Sequence, residues 1–392
     1  MKILLTTDTF YPMVNGVVIS TQNLYKELKL MGHDVKILAL SADGKERIDG
    51  DIFYLKSFNL KLYPGAKVKK FFNTEIRQQI LKWRPDIIHS QTEFSTMIDA
   101  KFIAKILKVP QIHTYHTMYE DYLDYFFNGK ILSPKGMGMF IRLLLNSMDA
   151  VIAPTDKVKT ALSNYGVKRD IHIIPTGIDL NKFQISMTEE EKMDLRKRHN
   201  IDKKDKVLLY LGRIAQEKNI EEIIDAYSNL ADKIDNFKLL IVGGGPYLEN
   251  LKELSSVKAL KNKIIFTGMV KPEEVYKYYK ISDAFVTAST SETQGLTYIE
   301  ALSCGLPVIC RYDPCIEGVV EPYKNGLIYK TSKEFEGAIK KLFTDEALRL
   351  KMAQYSESSA EKFSSRTFAR RVELLYAEVL NSYVLYSHGH SA

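Results

Sequence analysis

Short apolar runs alternate with amphipathic segments along the whole chain, and the alternation restarts halfway. The runs MKILLTT, DVKILALS, DIFYL, DIIHSQ, QIHTYH and AVIAPT come first. KVLLYLG, FKLLIVGGG, KIIFTG, AFVTAS, PVIC and NGLIYK follow after a polar interval. Residues 18–31 carry helical spacing and end at Gly32. Residues 219–230, 271–280, 297–304 and 334–343 also read as helices, as does the chain from 344 to about 384. Strand, crossover helix, strand, repeated in this way, predicts parallel sheets covered on both faces.

With 392 residues, 45% of them hydrophobic, the chain is too long for one typical domain. The expected fold class is α/β, with two doubly wound, Rossmann-like domains facing a cleft, because ligands in such sheets bind outside the carboxyl ends of the strands. The expected domains are 1–176 and 201–368, joined by a polar linker at 177–200. A C-terminal helix at 369–392 could pack back toward the first domain. No run approaches the ~18 apolar residues of a membrane span, and MKILLTTDTFYP has too short an apolar run for a secretory signal. Cys304, Cys310 and Cys315 are unaccompanied by a spaced His/Cys set and read as reduced thiols in a cytoplasmic protein. Formal net charge is +7. Residues 1–180, with 24 Lys/Arg against 18 Asp/Glu, carry nearly all of it and could face an anionic partner.

Three stretches of the second half can address a phosphorylated ligand. In VLLYLGRIAQEKN a strand is expected to end at Gly212, followed by Arg213 and Lys218; a planar fork and a mobile point charge suit a diphosphate. The alternative is a loop with solvated charges. KLLIVGGGP puts Gly244 in a glycine-rich turn that permits close backbone approach, without the Walker or G-x-G-x-x-G pattern. SETQGLTYIE places Glu292 in a loop after a strand and Glu300 about two turns into a helix beyond Gly295. The N–H groups of Leu296 and Thr297 are then available to a phosphate. That spacing argues against an adjacent carboxylate dyad. The bland alternative is a solvated turn and an acidic helix. Asp49-Gly50-Asp51 could hold Mg²⁺ or Mn²⁺, but it precedes an apolar run instead of following a strand and reads as a turn.

As an ordered set, FYPMVNGVV at 10–18, HTYHT at 113–117, GRIAQEKN at 212–219 and the E-x7-E of 292–300 resemble the retaining, nucleotide-sugar-dependent glycosyltransferases of family 4, which have the GT-B architecture. The resemblance covers almost the whole chain. It implies that Glu292 contacts sugar hydroxyls and Glu300 the ribose, that Arg213 and Lys218 hold the diphosphate, and that Asn15 and Gly16 meet phosphate or acceptor. It also implies that His116 lies near the reacting sugar, and makes Arg142 a weaker candidate for acceptor or phosphate contact; strand alternation puts His113 on the face of Tyr115, in a structural role. TEFS (92–95), HTYHTMYEDYLDYF (113–126) and SETQGLTYIEA (291–301) further resemble bacterial diacylglycerol α-glucosyltransferases. The implied reaction moves glucose from UDP-glucose to the 3-hydroxyl of 1,2-diacylglycerol, with no tightly bound cofactor and no required divalent metal. Other readings stay open: UDP-galactose or a UDP-N-acetylhexosamine as donor, another lipid or a soluble acceptor, or a non-catalytic sugar-nucleotide-binding or membrane-surface module.

Two segments are candidates for the acceptor side. From Lys61 to Arg84 there are seven Lys/Arg and one acidic residue, Glu75, interleaved with bulky apolar residues; Lys67, Lys69, Lys70, Phe71 and Phe72 suit an anionic lipid surface. Residues 118–145, including Tyr119 and Tyr122, follow His116 and could wall an apolar groove. The alternative for the first is a helix covering the first sheet, and for the second a domain-edge helix pair with its aromatic side turned inward. No zinc or RNA-binding signature accompanies the positive charge, so nucleic acid is not an expected partner. The expected location is the inner face of the cell membrane, peripherally bound.

Overall fold

The computed structural model describes residues 1–13, 15–59, 67–69, 74–118, 134–260 and 263–389. The chain divides into two compact units. One is Met1–Ile178 together with the chain from Ser365 onward; the other is Asp179–Ser364.

The first unit is built on β1 (Lys2–Thr7), β2 (Asp34–Leu40), β3 (Arg47–Asp49), β4 (Ile52–Leu55), β5 (Ser57–Asn59), β6 (Lys67–Lys69), β7 (Ile87–Ser90), β8 (Gln111–Thr114), β9 (Ala150–Ala153) and β10 (Ile171–Ile173). Eight of these form one sheet in the order β10-β9-β8-β7-β1-β2-β4-β3, while β5 and β6 pair separately. Every pair in the large sheet is parallel except β3 with β4. Successive side chains of a strand face opposite ways, so the sheet has two distinct cores. Ile3, Leu5 and Ile37 pack with Leu24 and Leu28 of the helix Gly16–Leu30 and with Phe368, Val372, Leu375, Tyr376 and Val379 of the helix Ser365–Gly389. That spacing is one stripe of a helix. Leu4, Leu38 and Ile88 face the other way, onto Ile76 and Ile80 of the helix Thr74–Trp83 and onto Ala100 and Ile103 of the helix Ser95–Leu107.

The second unit holds β11 (Lys206–Leu211), β12 (Phe237–Val242), β13 (Ile264–Gly268), β14 (Ala284–Thr287), β15 (Val308–Arg311) and β16 (Gly326–Tyr329), all parallel, in the order β13-β12-β11-β14-β15-β16. This is the doubly wound order, and its switch point lies between β11 and β14. Leu208, Leu239, Ile241 and Val286 pack against Ile223 and Ile224 of the helix Ile220–Leu230 and against Phe335 and Ile339 of the helix Ser332–Thr344. Phe285 points to the opposite face and meets the rings of Tyr279 and Tyr298 at 6.0 and 6.3 Å between centroids.

Each apolar run singled out in the sequence contains a strand. The sequence reading missed β3, β5, β6 and β10, which are three residues each. The polar interval contains the helix Glu189–Arg198, started by a capping box between Thr188 and Glu191. The last helix runs to Gly389 instead of ending near residue 384.

Candidate active site

The two loops at the switch point of the second unit carry the predicted phosphate and sugar residues. The loop after β11 is closed by Tyr210, whose buried hydroxyl donates to the Arg213 carbonyl at 3.0 Å. Lys218 ends a single turn of 3₁₀ helix, Gln216–Lys218, and its Nζ donates to Glu292 Oε1 at 2.6 Å. Arg213 is more exposed and pairs with Glu217. The loop after β14 is tied to the same place by Ser291 Oγ, which donates to the Glu217 carbonyl at 3.4 Å. Arg213, Lys218 and Glu292 are therefore brought together, with both cations already held against carboxylates.

Gly295 sets the turn between Glu292 and the helix Leu296–Ser303. Its φ is +72°, and a Cβ there would lie 2.1 Å from the Tyr298 ring, so glycine is required on two counts. Leu296 and Thr297 form the first turn of this helix, where backbone N–H groups have no intrahelical acceptor. Glu300 lies further along it, half-buried, accepting from Tyr279 Oη at 2.9 Å. Burial pushes its carboxyl up to about 7, against the opposing pull of the tyrosine hydrogen bond.

The glycine triplet after β12 has a structural explanation. A Cβ on Gly243 would lie 1.9 Å from the Gly212 carbonyl oxygen, and one on Gly245 would lie 2.1 Å from that of Ile214. The backbones pair here: Gly212 N donates to Val242 O at 3.0 Å and Ile214 N to Gly244 O at 2.9 Å. The turn thus shapes the cation-bearing loop by close backbone packing. Gly244 itself faces only the flexible Met269 side chain.

In the first unit the switch point lies between β1 and β7, and a buried polar cluster occupies it. Asp8, just past β1, accepts from Thr92 Oγ1 at 2.6 Å, from Thr96 N at 3.0 Å and from Phe94 N at 3.3 Å, at the start of the helix Ser95–Leu107. Loss of hydration raises its carboxyl to about 6 despite these bonds. His116, just past β8, sits with Nε2 2.8 Å from Gln91 Oε1. Burial, and then the proximity of His113, hold its imidazole down at about 3, so it is neutral at physiological pH. His113 Nε2 lies 3.2 Å from Glu93 Oε1, both buried. Asn15 is the N-cap of the helix that begins at Gly16, its Oδ1 accepting from Val18 N at 3.0 Å. Asp8, Gln91 and Glu93 escaped the sequence reading; their position directly after strand candidates was the available signal.

The remaining candidates fall elsewhere. Lys67 and Lys69 lie in β6, paired with β5. Lys70, Phe71, Phe72, Tyr119 and Tyr122 lie outside the described residues. Arg142 is exposed, with its aliphatic chain near Gly166. Asp49 ends β3 and Asp51 lies in the turn to β4, where it accepts from Lys29 Nζ at 2.7 Å and Tyr25 Oη at 2.9 Å. Cys304, Cys310 and Cys315 are free thiols.

Two doubly wound units, the second with a cationic and acidic switch point, define the class of nucleotide-sugar-dependent glycosyltransferases with GT-B architecture. Residues 14–182 match the model of Glycosyltransferase Family 4, and residues 191–359 that of Glycosyl transferases group 1. The chain is similar to the alpha-monoglucosyldiacylglycerol synthase of Streptococcus pneumoniae, with 36% identity over 387 residues, covering 97% of this chain and 87% of the relative. It is also similar to the enzyme of the same name from Acholeplasma laidlawii, with 29% identity over 392 residues, covering 97% and 98%. Among solved structures, sucrose-phosphate synthase from Thermosynechococcus elongatus shares the fold at a TM-score of 0.75 and 19% identity, covering 97% of this chain and 99% of that one. This chain belongs to glycosyltransferase family 4, in the group that contains the two synthases.

Proposed function

We propose that the protein transfers glucose from UDP-glucose to the 3-hydroxyl of 1,2-diacylglycerol at a membrane surface, giving the α-glucoside. The observation that carries this reading is the near full-length similarity to an enzyme named for that product, at 36% identity. An α-glucoside made from an α-linked nucleotide sugar means retention at C1.

The chemistry follows from the residues at the two switch points. Arg213, Lys218 and the first-turn N–H groups of Leu296 and Thr297 stabilise the negative charge that grows on the β-phosphate as its bond to C1 breaks. The acceptor oxygen bonds to C1 and its proton passes to the departing phosphate oxygen, so no side chain need act as a covalent nucleophile. Glu292, paired to Lys218, takes sugar hydroxyls, and Glu300 takes the ribose. Neutral His116 orients the sugar through its 6-hydroxyl, and Asn15 and Gly16 face phosphate or acceptor from the N-terminus of their helix. Two cations and helix termini neutralise the diphosphate without a divalent metal. Peripheral attachment at the inner face of the cell membrane belongs to the same reading; among the described residues no helix is long and apolar enough to cross a membrane.

The test is a product assay that crosses UDP-glucose, UDP-galactose and UDP-N-acetylglucosamine with diacylglycerol and soluble acceptors, with the anomer assigned by NMR. An α-glucosyl lipid is expected. A β-linked product, another preferred hexose or a soluble acceptor overturns the corresponding part, and loss of activity in chelator overturns metal independence.

A further inference from the structure

The Glu300 carboxylate sits at the end of a long, flexible side chain. Freezing such a side chain costs affinity unless the protein has fixed it before the ligand arrives. Tyr279, in the last turn of the helix Val275–Lys280, supplies that fix: its Oη donates to Glu300 Oε2 at 2.9 Å. Tyr279 is fully buried. Phe183 meets its ring edge-on, at 6.1 Å between centroids and 73° between planes, and Phe285 lies at 6.0 Å. Packing of this kind is served by phenylalanine alone, so the hydroxyl answers to Glu300. The adjacent Tyr278 is used differently, with its Oη 3.3 Å from His199 Nε2. Burial, and then the charge of Glu300, push the ionisation of Tyr279 well above the ordinary phenol range, so it stays a donor at physiological pH.

The support extends to Phe183, which follows the turn Leu180–Lys182. Its ring bears on Tyr279, and its carbonyl oxygen accepts from Cys304 Sγ at 3.3 Å. Cys304 is the C-cap of the helix that carries Glu300. Burial pushes its thiol up to about 12, so it keeps the proton that it donates. Phe183, Tyr279 and the helix Leu296–Ser303 thus close a ring of contacts around one carboxylate. Tyr279 occupies Oε2, while Oε1 has no hydrogen-bond partner among the described residues.

We propose that Tyr279, held in place by Phe183, is a positioning residue for Glu300: it fixes Oε2 so that Oε1 meets the 2′- and 3′-hydroxyls of the nucleotide's ribose. The proposal rests on the ribose reading of Glu300 above. An unheld carboxylate is divided among rotamers, and affinity falls by the fraction that faces the diol.

The test is titration calorimetry of the full chain with UDP and with 2′,3′-dideoxy-UDP, which lacks both hydroxyls. The wild type is expected to favour UDP by about a hundredfold, the order of two hydrogen bonds to a charged group. Tyr279→Phe keeps the packed ring and is expected to lower UDP affinity by about tenfold, with the affinity for the dideoxy nucleotide unchanged. Phe183→Leu tests the same support from its outer side and is expected to lower UDP affinity by about threefold, again without effect on the dideoxy nucleotide. In a Glu300→Ala background Tyr279→Phe should change UDP affinity no further. A purely structural tyrosine affects both nucleotides alike. The proposal is overturned if Tyr279→Phe keeps the wild-type preference for UDP over the dideoxy nucleotide, whether both affinities stay or fall together. A wild type that binds the two equally overturns the ribose reading of Glu300 itself, and the proposal with it.

Discussion

Lys218 and Glu292 form one ion pair, Nζ to Oε1 at 2.6 Å, although 74 residues separate them. The cation read as a diphosphate ligand and the carboxylate read as a sugar ligand therefore share an electrostatic fate. Lys218→Ala is expected to lower kcat about a hundredfold, the order seen when one donor to a developing oxyanion is removed. Because the two touch, the double variant with Glu292→Ala should lose less than the product of the single losses. Steady-state kinetics on the four proteins decide it; full additivity would falsify the shared role.

Glu300 provides a pH signature. Its folded-state carboxyl, at about 7, lies above the ordinary value of 4.5. The folded chain then holds this proton more tightly than the unfolded one, so its contribution to stability falls as pH rises from 4.5 to 7 and is constant above. Relative to Glu300→Gln, the wild-type thermal midpoint should decline across that window. Ribose hydroxyls favour the ionised form, so UDP binding near pH 6.5 should release a proton, seen by calorimetry in buffers of different ionisation enthalpy and absent in Glu300→Gln.

The neighbouring glycines separate backbone packing from ligand contact. Gly243→Ala should destabilise the second unit by about 2–3 kcal/mol, because its new Cβ meets the rigid Gly212 carbonyl. Gly244→Ala should cost less than about 1 kcal/mol, because only the Met269 side chain must move. Urea denaturation measures both, and equal losses would remove the distinction.

Gln91 is expected to act through His116 as a positioning residue. Its Oε1 accepts the Nε2 proton and leaves Nδ1 as an acceptor for a sugar hydroxyl. Gln91→Leu should reduce kcat about tenfold with UDP affinity unchanged. Gln91→Glu places a carboxylate beside the imidazole, favours its charged form and should raise the acidic limb of the rate profile. NMR of labelled histidine gives the tautomer directly, and a proton found on Nδ1 would contradict this arrangement.

The sequence by itself determined what local periodicity controls. Apolar runs of strand length separated by helical stripes dictated two parallel α/β units. The order of GRIAQEKN and SETQGLTYIE after their strands put Arg213, Lys218 and Glu292 just past strand ends and Glu300 on the helix that follows. Tertiary structure alone decided which of these side chains meet. Sheet order does not follow chain order: β11 lies between β12 and β14, so loops far apart in sequence converge on Lys218 and Glu292 while Glu300 turns to Tyr279. The same non-sequential order gathers Asp8, Gln91 and His116 from three strand ends. It also reads the glycine triplet as backbone packing and leaves the apolar side of Ser95–Leu107 facing out. A stripe of apolar residues on a helix predicts a buried face. Which stripe the sheet covers depends on contacts between elements, and a one-dimensional pattern does not contain them.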